Sequence, residues 1–199
     1  MVLEARNCFF KYKGSSSWLI NDFSIQIESG EVVGLIGPSG YGKSTIAKIL
    51  AGQIKAQKGN VLIDGESIKP NGYHPVQLIF QHPELALNPK WRMKQILEEV
   101  GDVDKELCTE LGIKDIFLDR FPQELSGGEN QRFNVYRALR KETKFIIADE
   151  ISTMLDVITQ AQIWQVILDY AKQNNIGILT ITHNKNLADR VCTRQTVAR

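Results

Sequence analysis

The stretch Gly37-Pro38-Ser39-Gly40-Tyr41-Gly42-Lys43-Ser44-Thr45 constrains this chain more than any other. It follows the apolar run Val32-Val33-Gly34-Leu35-Ile36, which reads as a buried strand. It precedes Ile46-Ala47-Lys48-Ile49-Leu50-Ala51, which reads as a helix stopped by Gly52. The pattern G-x-x-x-x-G-K-S between a strand and a helix is that of a phosphate-binding loop. Its glycines let the backbone curl so that successive N–H groups converge on phosphate oxygens. The helix start adds its dipole and its free N–H groups to the same anion. Lys43 is placed to reach β- and γ-phosphates, and the Ser44 hydroxyl to ligate Mg²⁺. The alternative, an ordinary glycine-rich turn, does not require every position of the pattern to be matched.

The rest of the chain fits one domain. At 199 residues it is long enough for one well-buried core, with room for a small subdomain. Its 24 Lys+Arg and 23 Asp+Glu nearly cancel, leaving net +1. No basic stripe indicates a nucleic-acid surface. No apolar run approaches the ~18 residues that span a bilayer. The segment Met1 to Arg6 has neither the basic nor the apolar part of a signal peptide. Cys8, Cys108 and Cys192 share no metal-ligand spacing and read as reduced thiols of a cytosolic protein.

Strands are expected over 2–12 and over 23–28, where Phe23, Ile25 and Ile27 alternate with polar residues. Tyr12 reads equally as an aromatic that stacks on an adenine ring or as a core or strand-edge tyrosine. Val61-Leu62-Ile63 is a short strand closed by the turn dipeptide Asp64-Gly65. Val76 to Phe80 is another buried strand and ends at Gln81. A side-chain amide at the carboxyl end of a core strand lies where open α/β sheets bind ligands, within reach of Mg²⁺ or an attacking water. Residues 84–124 then change character. Prolines at 83, 89 and 122 bound helical patterns at roughly 92–100 and 104–111, read as an inserted helical subdomain. Its core is assigned to Leu97, Val100, Leu107, Leu111, Ile116 and Phe117. Trp91 reads as packing or as a partner-facing aromatic.

Leu125-Ser126-Gly127-Gly128-Glu129 opens a helix to about residue 140, with Ser126 and Glu129 as a capping box. Two consecutive glycines in a first helical turn cost about 1 kcal/mol each relative to Ala. That cost makes sense where a bulky anion must approach the backbone, so this is a second phosphate-binding surface. Phe145 to Ala148 is a buried strand with Asp149-Glu150 at its carboxyl end. Asp149 is assigned to Mg²⁺ and Glu150 to the proton or orientation of an attacking water. Asp156 caps or braces the next helix, 158–173, whose apolar stripe Ile163, Val166, Ile167, Tyr170 and Ala171 is core. Ile176 to Ile181 is the next buried strand, and Thr182-His183 ends it. Standing at the end of a strand in the same sheet as Glu150, His183 is favoured as functional. His74 and His82 have no such support.

Taken together, these motifs resemble the ATP-binding subunits of ABC transporters over essentially the whole chain. The resemblance rests on the loop at 37–45, Gln81, the 125–129 signature, Asp149-Glu150, Asp156 and His183, in the family's order. Leu78-Ile79-Phe80-Gln81-His82-Pro83, Leu87-Asn88-Pro89-Lys90-Trp91-Arg92 and the run from Leu155 to Ile163 resemble the oligopeptide, dipeptide and nickel importer branch. The resemblance implies an α/β P-loop NTPase fold: a mostly parallel central sheet, an antiparallel β subdomain and an inserted small helical subdomain. It implies one cassette over 1–199, with 1–83 and 125–199 as nucleotide-binding core and 84–124 as helical subdomain.

It also implies a mechanism. ATP and Mg²⁺ are bound, and two ATPase subunits sandwich two ATP molecules head to tail. Each ATP lies between one subunit's phosphate loop and the other's signature helix, with Ser126, Gly127 and Gly128 on the γ-phosphate. Tyr12 then matches the adenine-stacking aromatic and His183 the γ-phosphate contact. Gln81 matches the link from Mg²⁺ and water to the helical subdomain. The implied partners are membrane permease subunits, a second ATPase, preferentially of different sequence, and, indirectly, an extracytoplasmic substrate-binding protein. Nucleic acid is not among them. The place is the cytoplasmic face of the membrane, peripherally. The chain would energise import of peptides, nickel or a related small solute. The alternatives are a soluble ABC ATPase not coupled to transport and a nucleotide-dependent interaction subunit with little turnover.

The chain departs from the family pattern at Glu129-Asn130, at Ile151 where proline is frequent, and at Asn184 where aspartate is usual. The helical segment is short, the family's final strands look missing, and 194–199 have no place in the pattern.

Overall fold

A computed structural model describes residues 1–38, 40–69, 72–152 and 155–197. In chain order the first half gives strands Val2–Phe10 (β1), Ile20–Glu28 (β2) and Val32–Ile36 (β3), helix Lys43–Leu50 (α1), then strands Lys58–Ile63 (β4), Glu66–Ser67 (β5) and Val76–Ile79 (β6). Helices Met93–Glu98 (α2), Lys105–Glu110 (α3) and Gly127–Ala138 (α4) follow. The chain closes with strand Phe145–Asp149 (β7), helix Val157–Asn174 (α5), strand Gly177–Thr182 (β8), helix Lys185–Val191 (α6) and strand Arg194–Val197 (β9).

Patterning sorts the strands into two sheets. The alternating strands pair antiparallel in the order β2-β1-β4-β5. Strands β3, β7 and β8 are near-continuous apolar runs, as expected of parallel strands covered on both faces. They lie in a parallel sheet of order β6-β7-β8-β3-β9. Successive side chains of this sheet divide between two cores. Val33, Leu35, Leu78, Ile147, Leu179 and Ile181 pack with α1 and with Leu3, Ile25 and Ile27 of the antiparallel sheet. Ile79, Ile146, Ala148 and Ile178 pack with Phe133 of α4 and Ile163 and Ile167 of α5.

The register aligns the carboxyl ends of the central strands. Ile79 lies beside Ala148, Asp149 beside Ile181, and Thr182 beside Ile36. The phosphate loop, Gln81, Asp149-Glu150 and His183 therefore all leave one edge of one sheet, where such sheets bind ligands.

Leu97, Leu107, Leu111 and Phe117 are buried as expected, but within the core that includes α4 and α5 rather than one of their own. Half-buried Trp91 packs against the same core. Ile116 is a correction: it is 65% exposed, because the short 3-10 turn at 115–117 gives its inward position to Phe117.

The tail is a second correction. Residues 194–197 form β9, parallel to β3, with Val33 beside Arg194 and Ile36 beside Val197. The Thr193 hydroxyl donates to the Val32 carbonyl at 2.9 Å, and Gln195 donates to Asp189 at 2.8 Å. The Arg194 guanidinium reaches both the Glu31 carboxylate and the Gln26 carbonyl. No helix of the described residues is long and apolar enough to cross a membrane.

Candidate active site

Between β3 and α1 the loop turns through left-handed backbone at Gly40 (φ 86°) and Gly42 (φ 77°). At Gly42 a Cβ would lie 2.6 Å from the Ile20 side chain, so a residue without one is required where the loop crosses the start of β2. Lys43, 5% exposed, donates to the carbonyls of Gly37 and Pro38 at 2.8 and 2.7 Å. Its charge is thus stored inside the loop. Ser39, assigned to the same loop, lies outside the described residues. Tyr41 stands exposed between the two glycines.

Ser44, on the first turn of α1, donates its hydroxyl to the Asp149 carboxylate. Asp149 is only 6% exposed, and its Oδ1 is buried with no hydrogen-bond partner. Burial pushes this carboxyl above the usual carboxylate range. The Ser44 hydrogen bond opposes that, the Glu150 charge adds to it, and Lys43 and Lys48 pull it down. An unpartnered buried carboxylate oxygen is costly unless a cation or water meets it. The oxygen, the Ser44 hydroxyl and the lysine fit a divalent cation bound with a phosphate.

At Glu150 the chain turns out of β7 through left-handed backbone (φ 48°), a conformation that costs a non-glycine residue roughly 1–2 kcal/mol. The Glu150 N–H donates to the Ile181 carbonyl at 3.0 Å, which holds the turn. One Glu150 oxygen then lies 3.4 Å from Nδ1 of His183. The strained turn therefore places a carboxylate beside an exposed imidazole at the rim of the loop's edge.

Tyr12 lies past the end of β1 and is 54% exposed, so it is not a core tyrosine. Its hydroxyl is 3.2 Å from that of Thr45, and its ring packs edge-on against Phe10 with centroids 5.0 Å apart. An exposed aromatic ring there suits a stacked base. Gln81 is half-buried, just past β6. The strand end that carries it is fixed by two buried amides of α4. Gln131 and Asn134 both donate to the Phe80 carbonyl, at 3.2 and 3.1 Å. Sequence reading passed over both, although two amides on the inner face of a helix were the available signal.

The capping box expected at Ser126 and Glu129 is formed. Glu129 N–H donates to Ser126 Oγ at 3.2 Å, and Ser126 N–H donates to the Glu129 carboxylate at 2.8 Å. That backbone bond holds the Glu129 carboxyl below its usual range. Gly127 is open to solvent, and Gly128 borders Leu155 and Thr159. Asp156 caps α5, its Oδ1 accepting from Ile158 and Thr159 N–H, each at 3.0 Å. The starts of α4 and α5 thereby border one hollow of about 320 Å³, lined by Ser126, Gly127, Gly128, Arg132, Asp156 and Thr159 among others. No described residue of the phosphate loop lines it. The chain thus gathers Tyr12, the loop and Asp149 at one place, with Glu150 and His183 at its rim. It gathers Ser126 to Gly128 and Asp156 at another.

The three departures each have a local role. Asn130 donates to the Pro122 carbonyl at 2.8 Å, Ile151 is buried in the core, and Asn184 accepts from Leu187 N–H to cap α6.

Residues 20–153 match the sequence profile described as ABC transporter. The chain belongs to the ABC transporter family. Among curated members it is 34% identical to an oligopeptide transport ATP-binding protein of Streptococcus mutans, over 96% of this chain and 70% of the relative. It is 31% identical to a nickel import system ATP-binding protein of Staphylococcus aureus, over 97% of this chain and 84% of the relative. The expected branch is therefore where these relatives lie. Among solved structures, an ATP-binding subunit of an ABC transporter superposes with TM-score 0.86 over 99% of this chain and 85% of its own, at 24% identity. A bacterial ABC transporter cassette solved as a dimer superposes with TM-score 0.82 over 98% of this chain and 93% of its own, at 25% identity. The family fold thus spans the two sheets, the segment 84–124 and β9 of this ABC family member.

Proposed function

We propose that this ABC family member is the ATP-binding and hydrolysing subunit of a membrane importer, for peptides, nickel or a related small solute. The observation that carries the reading is the buried Asp149 carboxylate. One of its oxygens has no partner, and the carboxylate is held to Ser44 of the phosphate-loop helix, with Glu150 and His183 adjoining.

The backbone N–H groups of 37–45 and the start of α1 bind the phosphates. Lys43 exchanges the carbonyls of Gly37 and Pro38 for β- and γ-phosphate oxygens. Tyr12 stacks on adenine. Ser44, Asp149 and Gln81 would hold Mg²⁺, which when bound neutralises charge on the β- and γ-phosphates. Glu150 accepts the proton of the attacking water as its oxygen bonds to the γ-phosphorus and the bond to the ADP oxygen breaks. His183 holds the Glu150 carboxylate in place and faces the γ-phosphate. Because the hollow at Ser126 to Gly128 contains no part of this chain's own described loop, it takes the γ-phosphate bound by a second cassette. Asp156 fixes its far wall.

The unit is one cassette over 1–199, with 84–124 as the helical subdomain that meets the permease and Gln81 as its link to the site. The second cassette is a different ATPase. A substrate-binding protein acts from the far side of the membrane, and this subunit sits peripherally on the cytoplasmic face. Phosphate release from ATP, measured with Mg²⁺ and again after chelation with EDTA, tests the reading. Turnover that stops on chelation and returns with added Mg²⁺ supports it. Absence of turnover with Mg²⁺, or turnover indifferent to EDTA, overturns it.

A further inference from the structure

The α4 helix carries a cation with no carboxylate beside it. Among the described residues no acidic group lies within 4 Å of the Arg132 guanidinium, unlike that of Arg137 one and a half turns later, which pairs with Glu99 at 2.9 Å. Arg132 instead spends its fork on three residues of two other elements. One nitrogen donates to the Leu111 carbonyl at the end of α3 and to Gln162 Oε1 on α5 at 3.0 Å. The other lies 3.5 Å from the Thr159 hydroxyl. Gln162 completes a ring by donating to the Glu110 carbonyl at 2.8 Å.

The last carbonyls of a helix lack partners within it and carry the negative end of its dipole. Here a guanidinium and an amide from two other helices meet them. The chain makes room at Gly112, left-handed (φ 68°), where a Cβ would stand 2.6 Å from the Arg132 guanidinium. Arg132 also lines the hollow formed by Ser126, Gly127, Gly128 and Asp156. Thr159, beside it, is also the residue whose N–H is held by Asp156.

We propose that Arg132 is a positioning residue that locks the end of α3 to both helix starts of the second anion surface. The orientation of Ser126 to Gly128 then depends on where α3 sits. Arg132 acts without touching the phosphate: moving α3 by a fraction of a turn drags the guanidinium, and with it the spacing between the starts of α4 and α5. A lysine carries the same charge but not a planar fork, so it cannot hold the Leu111 carbonyl and Gln162 together. The inference rests on the functional reading above.

The test compares Arg132→Ala, Arg132→Lys, Gln162→Ala and Gly112→Ala in the full chain. Three quantities are read: binding of a fluorescent ATP analogue, the ATP concentration giving half-maximal turnover, and the maximal rate. The expected result is analogue affinity within twofold of the parent, since the phosphate loop is untouched. The maximal rate should fall about tenfold in Arg132→Ala and Gly112→Ala and a few-fold in Gln162→Ala, with Arg132→Lys nearer to Ala than to the parent. The double variant Arg132→Ala, Gln162→Ala should be no slower than Arg132→Ala, as for residues acting as one unit. Should Arg132→Ala fail to fold, Gln162→Ala carries the comparison. A parent that turns over ATP while Arg132→Ala or Gln162→Ala matches its rate overturns the inference alone. So does a loss of rate that follows a loss of analogue affinity. A parent without Mg²⁺-dependent turnover overturns the functional reading itself.

Discussion

The two proposed anion surfaces of this chain are built on opposite terms. At the phosphate loop the charged groups are largely buried and mostly held by the chain itself: Lys43 by two carbonyls, Asp149 by Ser44, Glu150 against His183. One carboxylate oxygen remains unmet in the interior. At the start of α4 the polar groups are exposed and satisfied by helix caps. The first surface stores a need for cation and phosphate. The second offers backbone N–H groups to whatever arrives. A site that does chemistry must hold its groups before the substrate comes, whereas one that closes over another chain's ligand need only be accessible.

The sharpest way to break this contrast is Asp149→Asn. It removes the buried charge and should lower turnover about 10²–10³-fold, the scale seen when one preorganised electrostatic group is lost. An equal loss in affinity for ATP without metal would mean that Asp149 serves the fold rather than the cation.

Glycine substitution comes next, because the contrast predicts opposite signs. Gly42→Ala forces a methyl onto Ile20 in left-handed backbone, so stability should fall by about 1–3 kcal/mol. Gly128→Ala meets Leu155 at an ordinary 3.4 Å in helical backbone. It should raise stability by up to about 1 kcal/mol, or roughly 2–4 °C in Tm, while slowing turnover about tenfold. Thermal melts beside rates check both. If Gly128→Ala gains stability and keeps its rate, no phosphate approaches that turn.

The smallest effect probes the sheet edge far from the chemistry. Burial pushes the Glu31 carboxyl up, but the Arg194 guanidinium and the Glu28 N–H outweigh it and hold the group below its usual range. A lowered folded pKa gives stability that is present above the unfolded value, about 4.3, and lost as pH falls through the folded one. Arg194→Ala should therefore cost about 0.5–1 kcal/mol at pH 7, less at high salt, and progressively less below about pH 4. A deficit that persists unchanged in acid would show that Arg194 acts through the Gln26 carbonyl instead.

What could be read from the chain follows from what surrounds each residue. Strands β3, β7 and β8 were legible because burial on both faces leaves an apolar run with few other uses. Strand β9 was not, since Arg194-Gln195-Thr196-Val197 sits at a sheet edge and owes its conformation to β3, distant in sequence, and β5 was not, since the polar pair Glu66-Ser67 carries no apolar pattern although it pairs with the adjacent Leu62 and Ile63. Helix α6 was not legible either, since its signal is a lone Asn184 cap over seven residues. At the site, groups that act from contiguous motifs, such as Lys43 or Ser126, announced themselves by spacing. Gln131, Asn134 and Arg132 did not, because the backbone carbonyls of Phe80 and Leu111 that they reach carry no side-chain signature. Ile116 misled because its apolarity matches that of Phe117 and only the turn decides between them.

The central claim is that Glu150, turned out of β7 by strained backbone beside His183, takes the proton of the attacking water. Turnover of Mg-ATP by Glu150→Gln, with affinity for a fluorescent ATP analogue measured on the same sample, tests it most directly. The account predicts a rate lower by about 10²-fold or more with analogue binding intact, as for loss of a general base. An unchanged rate would contradict it.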